Sequence, residues 1–163
     1  MGNIVYLSLG SNIGDREANL RKALALLEEH GRVTRVSPFY ETEPVEYVDQ
    51  PWFLNCAAEM ETQLSPHGLL DALLSVERSM GRQRTQPKGP RLIDLDILLF
   101  GDLVVDESDL KIPHPSMHER RFVLEPLSAI APEARHAKLN KTAREMLADL
   151  PQGSPIVKRV RSI

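Results

Sequence analysis

The chain reads as an α+β sandwich, an antiparallel sheet with helices packed on it, and three observations predict this. Apolar runs of strand length flank two helically spaced stripes, giving the order strand, helix, strand, strand, helix, strand. With 163 residues, 42% hydrophobic and 26% charged, the chain can bury a full core. No repeat or linker divides it, so residues 1–163 are expected to form one domain.

Ile4 to Leu9 reads as the first strand, closed by a turn of Gly10, Ser11, Asn12 and Gly14. The LGSNIG turn lacks the Lys-Ser/Thr ending of a phosphate-binding loop, so it reads as a tight turn. Leu20, Ala23, Leu24 and Leu27 then recur at helical spacing. Asp15 and Glu17 suit that helix's N-terminal end, and Gly31 is placed to end it in a left-handed conformation. Val33 to Val36 gives a second strand. The polar, proline-punctuated stretch 37–51 is long for a plain connection and reads as a binding loop carrying Tyr40, Thr42 and Tyr47, with Trp52 at its end.

A third strand runs from about Trp52 to Thr62, with Trp52, Leu54, Cys56, Ala58 and Met60 on one face. The single Cys56 is therefore a core residue rather than a nucleophile or half of a disulfide. Phe53 and Asn55 fall on the opposite face. An aromatic beside a carboxamide suits a flat heterocycle, although a sheet Phe also serves as plain core. Ser65 and Pro66 start the second helix and Gly81 ends it. Its stripe of Leu70, Leu73 and Leu74 includes Glu77, whose carboxylate needs a partner, either a metal held by the next strand or a cation of the next loop.

That loop, GRQRTQPKGPR, carries Arg82, Arg84, Lys88 and Arg91 with no acidic residue. Its lack of apolar anchors predicts a mobile segment over residues 82–89 that closes on a polyphosphate. The strand from Leu92 to Leu99 follows. Alternation places Leu92, Asp94, Asp96 and Leu98 on one face and Ile93, Leu95, Ile97 and Leu99 on the other. Two adjacent carboxylates repel each other and lose hydration, so they need positive charge: a hard divalent cation such as magnesium, or neighbouring arginines alone. The cations in front of them favour the metal and a polyphosphate site.

Gly101 and Asp102 read as a hairpin turn into Leu103 to Val105. In IPHPSMHERRFVLEPL, prolines stiffen the chain around His114, and His118, Arg120 and Arg121 precede a helix, which suggests a second clamp on phosphate. Zinc is not expected, because no Cys or His partner lies at ligand spacing. From Pro132 on, only a short helix near Thr142 to Leu150 and a basic tail are legible. The element order is the split βαβ pattern of a ferredoxin-like fold, two helices covering one sheet face, and this scaffold decides no function.

The formal net charge of −3 predicts no nucleic-acid partner. No stretch is long and apolar enough to span a bilayer and no leader precedes the first strand, so a cytoplasmic protein without membrane contact is expected. A monomer is also expected, though no residue pattern argues for it.

LGSNIGD, FYETEPV, QPWFLN, GPRLIDLDILLFG and PHPSMHERRFVLEPL occur in that order, and together they resemble the 6-hydroxymethyl-7,8-dihydropterin pyrophosphokinases of folate biosynthesis over roughly Ile4 to Pro132. The resemblance implies pyrophosphate transfer from MgATP to the pterin hydroxymethyl group with release of AMP. It implies that Asp94 and Asp96 hold two magnesium ions and, with Arg82 and Arg91, form the catalytic group. It places Glu77, Arg82, Arg84, Arg91, Ile97, His114 and Arg120 around ATP, and Thr42, Pro44, Val45, Phe53, Asn55 and Phe122 around the pterin. The family often has Tyr where Phe53 stands and an aromatic where Lys88 stands. From the residues alone two other readings stay open. A metal-dependent phosphohydrolase or nucleotidyltransferase would use the same acid pair, and a binding module would show no turnover.

Overall fold

The computed structural model describes residues 2–43, 50–81, 91–152 and, for the backbone, 157–159. Alternating burial along the apolar runs builds the sheet. Its strands are β1 (Asn3–Ser11), β2 (Arg32–Val36), β3 (Tyr40–Thr42), β4 (Phe53–Thr62) and β5 (Asp94–Phe100), joined by the late strand β10 (Val157–Arg159). The order is β10-β3-β4-β1-β5, with β2 also paired to β4, and every pairing is antiparallel. Small hairpins β6 (Val105–Glu107) with β7 (Leu110–Ile112) and β8 (Arg135–His136) with β9 (Lys141–Thr142) lie outside it.

Helices α1 (Arg16–Leu27) and α2 (Pro66–Ser79) pack on one face. Asp15 caps α1 by accepting from the Ala18 amide, and Ser65 caps α2 by accepting from the Gly68 amide. Gly81 ends α2 as expected, and does so in the left-handed region with φ of 88°. Leu7, Leu9, Leu20, Leu27, Met60 and Leu73 meet in the core below these helices. Cys56 lies among them, and burial pushes its thiol up to about 12, so it stays protonated.

The ferredoxin-like order is present, but both faces are covered. Helices α3 (Arg121–Ile130) and α4 (Ala143–Ala148) close the second face over Ala57, Leu98 and Leu99. The strength of the Val123, Leu124 and Leu127 stripe is what a second layer requires, since an uncovered sheet face would leave those residues wet.

Several local expectations change. Gly10 and Ser11 continue β1 rather than turning. Gly31 is not left-handed; a Cβ there would sit 2.5 Å from the Glu61 carbonyl, so close strand approach is what requires glycine. The buried side of α2 is Leu69, Ala72, Leu73 and Val76, leaving Leu70 and Leu74 only partly buried. The 37–51 stretch contains β3, and the tail supplies β10; strands this short have no periodicity of their own to detect. The turn at Gly101 does not fold back on β5, for β6 pairs with β7. Strand β5 begins at Asp94, and its register with β1 shifts between Tyr6 and Leu7. That bulge puts Leu99 with Leu98 in the second core and Phe100 in the first.

Candidate active site

The register brings the singled-out residues into two rows across the sheet. Tyr40 pairs with Asn55, Asn55 with Gly10 and Gly10 with Asp94; one row on, Ala57 pairs with Ser8 and Ser8 with Asp96. Leu54, Cys56, Leu95 and Ile97 point into the α1/α2 core, so Phe53, Asn55, Asp94 and Asp96 occupy the other face. Two strand spacings separate Asn55 from Asp94, about 10 Å. Gly10 fills the middle because nothing larger fits: a Cβ there would collide with Asn55 Oδ1 and stand 3.5 Å from the Phe53 ring.

Asp94 and Asp96 are half-buried, side by side on an edge strand. Arg91 Nη1 stands 3.7 Å from Asp94 Oδ2, and the same guanidinium lies 5.7 Å over the Phe53 ring. Glu77 is 2% exposed, and it has a main-chain partner that its place on the helix did not announce. Its Oε2 accepts a 2.8 Å hydrogen bond from the main-chain amide of Leu95, the residue between the two aspartates.

His114 is held to the rim of β5, where its amide donates to the Leu98 carbonyl at 3.0 Å. Its Nδ1 accepts from the Ser116 amide at 3.1 Å, which leaves the ring proton on Nε2. Burial, with Arg120 close by, pushes the imidazole down from 6.5 to about 4 against the opposing pull of Asp94, so the ring is neutral at pH 7. Arg120 lies 5.5 Å over the Phe122 ring.

On the heterocycle side, Thr42 and Asn55 are 2% and 4% exposed, and Asn55 Nδ2 donates to Thr42 Oγ1. Phe53 and Phe122 are partly buried. A cavity of about 650 Å³ opens beside this end of the sheet, lined by Asn12, Gly14, Arg16, Glu41, Pro51 and Trp52.

The sheet thus gathers Thr42, Phe53, Asn55, Asp94 and Asp96 on one face and sets Arg91 beside them. Ile97 is the exception. Its side chain is 5% exposed inside the α1/α2 core, so only its main chain, on the edge strand, is available to a nucleotide. Pro44, Val45, Arg82, Arg84 and Lys88, with the whole 82–89 segment expected to close on polyphosphate, lie outside the described residues. The expected set omits Gly10 and Asn12, whose importance depends on partners far away in sequence. The glycine inside an otherwise apolar strand was the one signal available.

The family described as 7,8-dihydro-6-hydroxymethylpterin-pyrophosphokinase (HPPK) matches residues 6–132. A Bacillus subtilis protein named 2-amino-4-hydroxy-6-hydroxymethyldihydropteridine pyrophosphokinase is 52% identical over 132 residues, 80% of this chain and 79% of its own. One of the same name from Methylorubrum extorquens is 45% identical over 151 residues, 91% and 94% of the two chains. The folic acid synthesis protein fol1 of Schizosaccharomyces pombe is 49% identical over 150 residues, and there the match spans 91% of this chain but only 20% of the relative. Among solved structures, a Plasmodium falciparum HPPK-DHPS superposes with a TM-score of 0.75 at 20% identity, over 91% of this chain and 44% of the other, a likeness of fold.

Proposed function

The chain belongs to the 7,8-dihydro-6-hydroxymethylpterin-pyrophosphokinase family, and from that membership we propose that it transfers the pyrophosphoryl group of ATP to the hydroxymethyl group of 6-hydroxymethyl-7,8-dihydropterin, a step of folate biosynthesis. The pterin oxygen attacks the β-phosphorus, a new P–O bond forms, the bond from that phosphorus to the α,β-bridging oxygen breaks, and AMP leaves. The observation that carries the reading is the row Asn55, Gly10, Asp94, which puts a carboxamide and an aromatic about 10 Å from an acid pair across a gap kept open by glycine.

Asp94 and Asp96 fit magnesium: they are hard oxygen donors, adjacent, half-buried and at a sheet edge where substrate phosphates can complete the shell. Two magnesium ions, when bound, would neutralise charge on the phosphates. The rest falls to the chain's own groups. Arg91 and Arg120 answer charge that grows on the departing AMP oxygens, with Arg82 and Arg84 as further phosphate partners. Neutral His114 donates from Nε2 to a nucleotide oxygen without adding to the local charge. Glu77 supports the nucleotide side by fixing Leu95 between the aspartates. Thr42, Asn55, Phe53 and Phe122, with Pro44 and Val45, hold the pterin ring and aim its hydroxymethyl group. Asp96 is the candidate to take the hydroxyl proton, although positioning and charge suffice for this chemistry.

On this reading residues 1–163 act as one domain, as a monomer in the cytoplasm, with no nucleic acid or membrane as partner; no described helix is long and apolar enough to cross a membrane. The deciding experiment identifies the nucleotide product from ATP and magnesium with and without 6-hydroxymethyl-7,8-dihydropterin. AMP formed only with the pterin supports the reading. ADP, orthophosphate or no turnover overturns it in favour of a hydrolase or a binding module.

A further inference from the structure

Asn12, 2% exposed, holds together two stretches of chain that no local signal connects. Its amide donates to the Arg91 carbonyl at 3.0 Å, and its Oδ1 accepts from the Arg91 amide at 2.7 Å. Its Nδ2 donates to Gln50 Oε1 at 2.8 Å and to the Pro51 carbonyl at 3.0 Å. A main-chain amide can only donate and a carbonyl can only accept, so the orientation of the carboxamide is fixed by its partners. The residue is itself held on both sides, for Asn19 Nδ2 donates to Ser11 Oγ at 3.1 Å and to the Ile13 carbonyl at 2.9 Å.

The two ends of that carboxamide face different halves of the site. The oxygen end fixes Arg91, whose guanidinium stands beside Asp94, three residues on. The nitrogen end fixes Gln50 and Pro51, which lead directly into Trp52 and Phe53 at the start of β4. Arg16, which donates to Glu41 and the Trp52 carbonyl, adds to the hold on the second stretch.

We propose that Asn12 is a positioning residue that sets the pterin wall and the nucleotide-side Arg91 at a fixed separation, with its Nδ2 serving the pterin half and its Oδ1 the nucleotide half. This rests on the proposed pyrophosphoryl transfer, and it assigns separate effects to separate atoms. Asn12→Asp keeps the acceptor for the Arg91 amide but replaces the donor by an oxygen that faces the Pro51 carbonyl. Asn12→Ala removes both.

The test reads ligand affinity on the full chain, by titration with a non-hydrolysable ATP analogue plus magnesium and with 6-hydroxymethyl-7,8-dihydropterin, alongside thermal unfolding. Asn12→Asp is expected to weaken pterin binding by roughly tenfold, the scale of one lost hydrogen bond, while the ATP analogue stays within about twofold of wild type. Asn12→Ala is expected to weaken both by roughly tenfold. Equal losses for both ligands in Asn12→Asp, no loss in either variant, or unfolding of both variants would assign Asn12 to the fold alone and overturn the proposal. Wild-type AMP formation, assayed separately, tests the reaction itself, so failure of the one is distinguishable from failure of the other.

Discussion

The Glu77 carboxylate on α2 accepts a 2.8 Å hydrogen bond from the Leu95 amide on β5, and so a buried helix charge reaches the main chain between two half-buried aspartates. The bond ties the α2 face of the sheet to the site on the opposite face. Glu77→Gln retains an acceptor and is expected to keep the fold and most turnover. Glu77→Ala leaves the Leu95 amide without that acceptor, at a cost of about 1–3 kcal/mol, and should lower turnover by loosening the Asp94 and Asp96 geometry. Urea unfolding and AMP formation on both variants check this, and an alanine variant as stable and active as wild type would remove Glu77 from the site.

Asp94→Ala and Asp96→Ala are each expected to abolish most turnover at saturating magnesium while the chain stays folded. Each removes a carboxylate from ions whose charge stabilisation is worth several kcal/mol in such sites. Relief of the repulsion between neighbours should hold the unfolding midpoint at or above that of wild type. Near wild-type turnover in either variant would refute the metal assignment.

Gly10→Ala should act on the pterin rather than on ATP. The added methyl collides with Asn55 Oδ1 and meets the Phe53 ring at 3.5 Å, so the Asn55 carboxamide must leave Thr42 or the two strands must part. Pterin affinity is expected to fall by at least about tenfold with a stability loss of about 1–3 kcal/mol, the usual cost of overpacking. Calorimetric titration with each ligand separates this from a general loss of binding.

Stability should fall on mild acidification. His114 is held down from 6.5 to about 4 by burial and Arg120. His136, 4% exposed, is also lowered, by burial and by His118, and its Nδ1 accepts from the Lys138 and Leu139 amides. Both rings bind a proton less readily folded than unfolded, so their contribution is complete above the unfolded value and is lost as pH drops from about 6.5 towards 4. For His114 the full loss is about 3 kcal/mol at most. Urea midpoints should fall between pH 7.5 and pH 5, and His136→Asn should flatten the slope; a pH-independent midpoint over this range would contradict both assignments.

What residues say about near neighbours was legible without the fold. Period-two alternation put Asp94 and Asp96 on one face, Asp15 and Ser65 announced their helices, Gly81 announced a stop, and Cys56 read as core. Each of these depends on side chains within a turn or two of one another, where backbone geometry leaves few choices. The same signals named the acid pair and the Phe53 and Asn55 face, and the motif order named the family.

Tertiary structure alone decided the rest. Whether α2 turns Leu69 or Leu70 to the core depends on the sheet beneath it, because a Leu-rich stripe fits more than one rotation. Strands β3 and β10 exist because β4 offers Tyr40 to Thr42 a partner and β3 then offers one to the tail. Glu77 met the Leu95 amide, and Gly10 met Asn55, through strand register. Asn12 bonds Arg91 across a sequence separation of 79 residues. Periodicity and capping carry no information over such distances: which donor meets which acceptor is set only when topology and register bring two segments together and burial removes the water that would otherwise satisfy them.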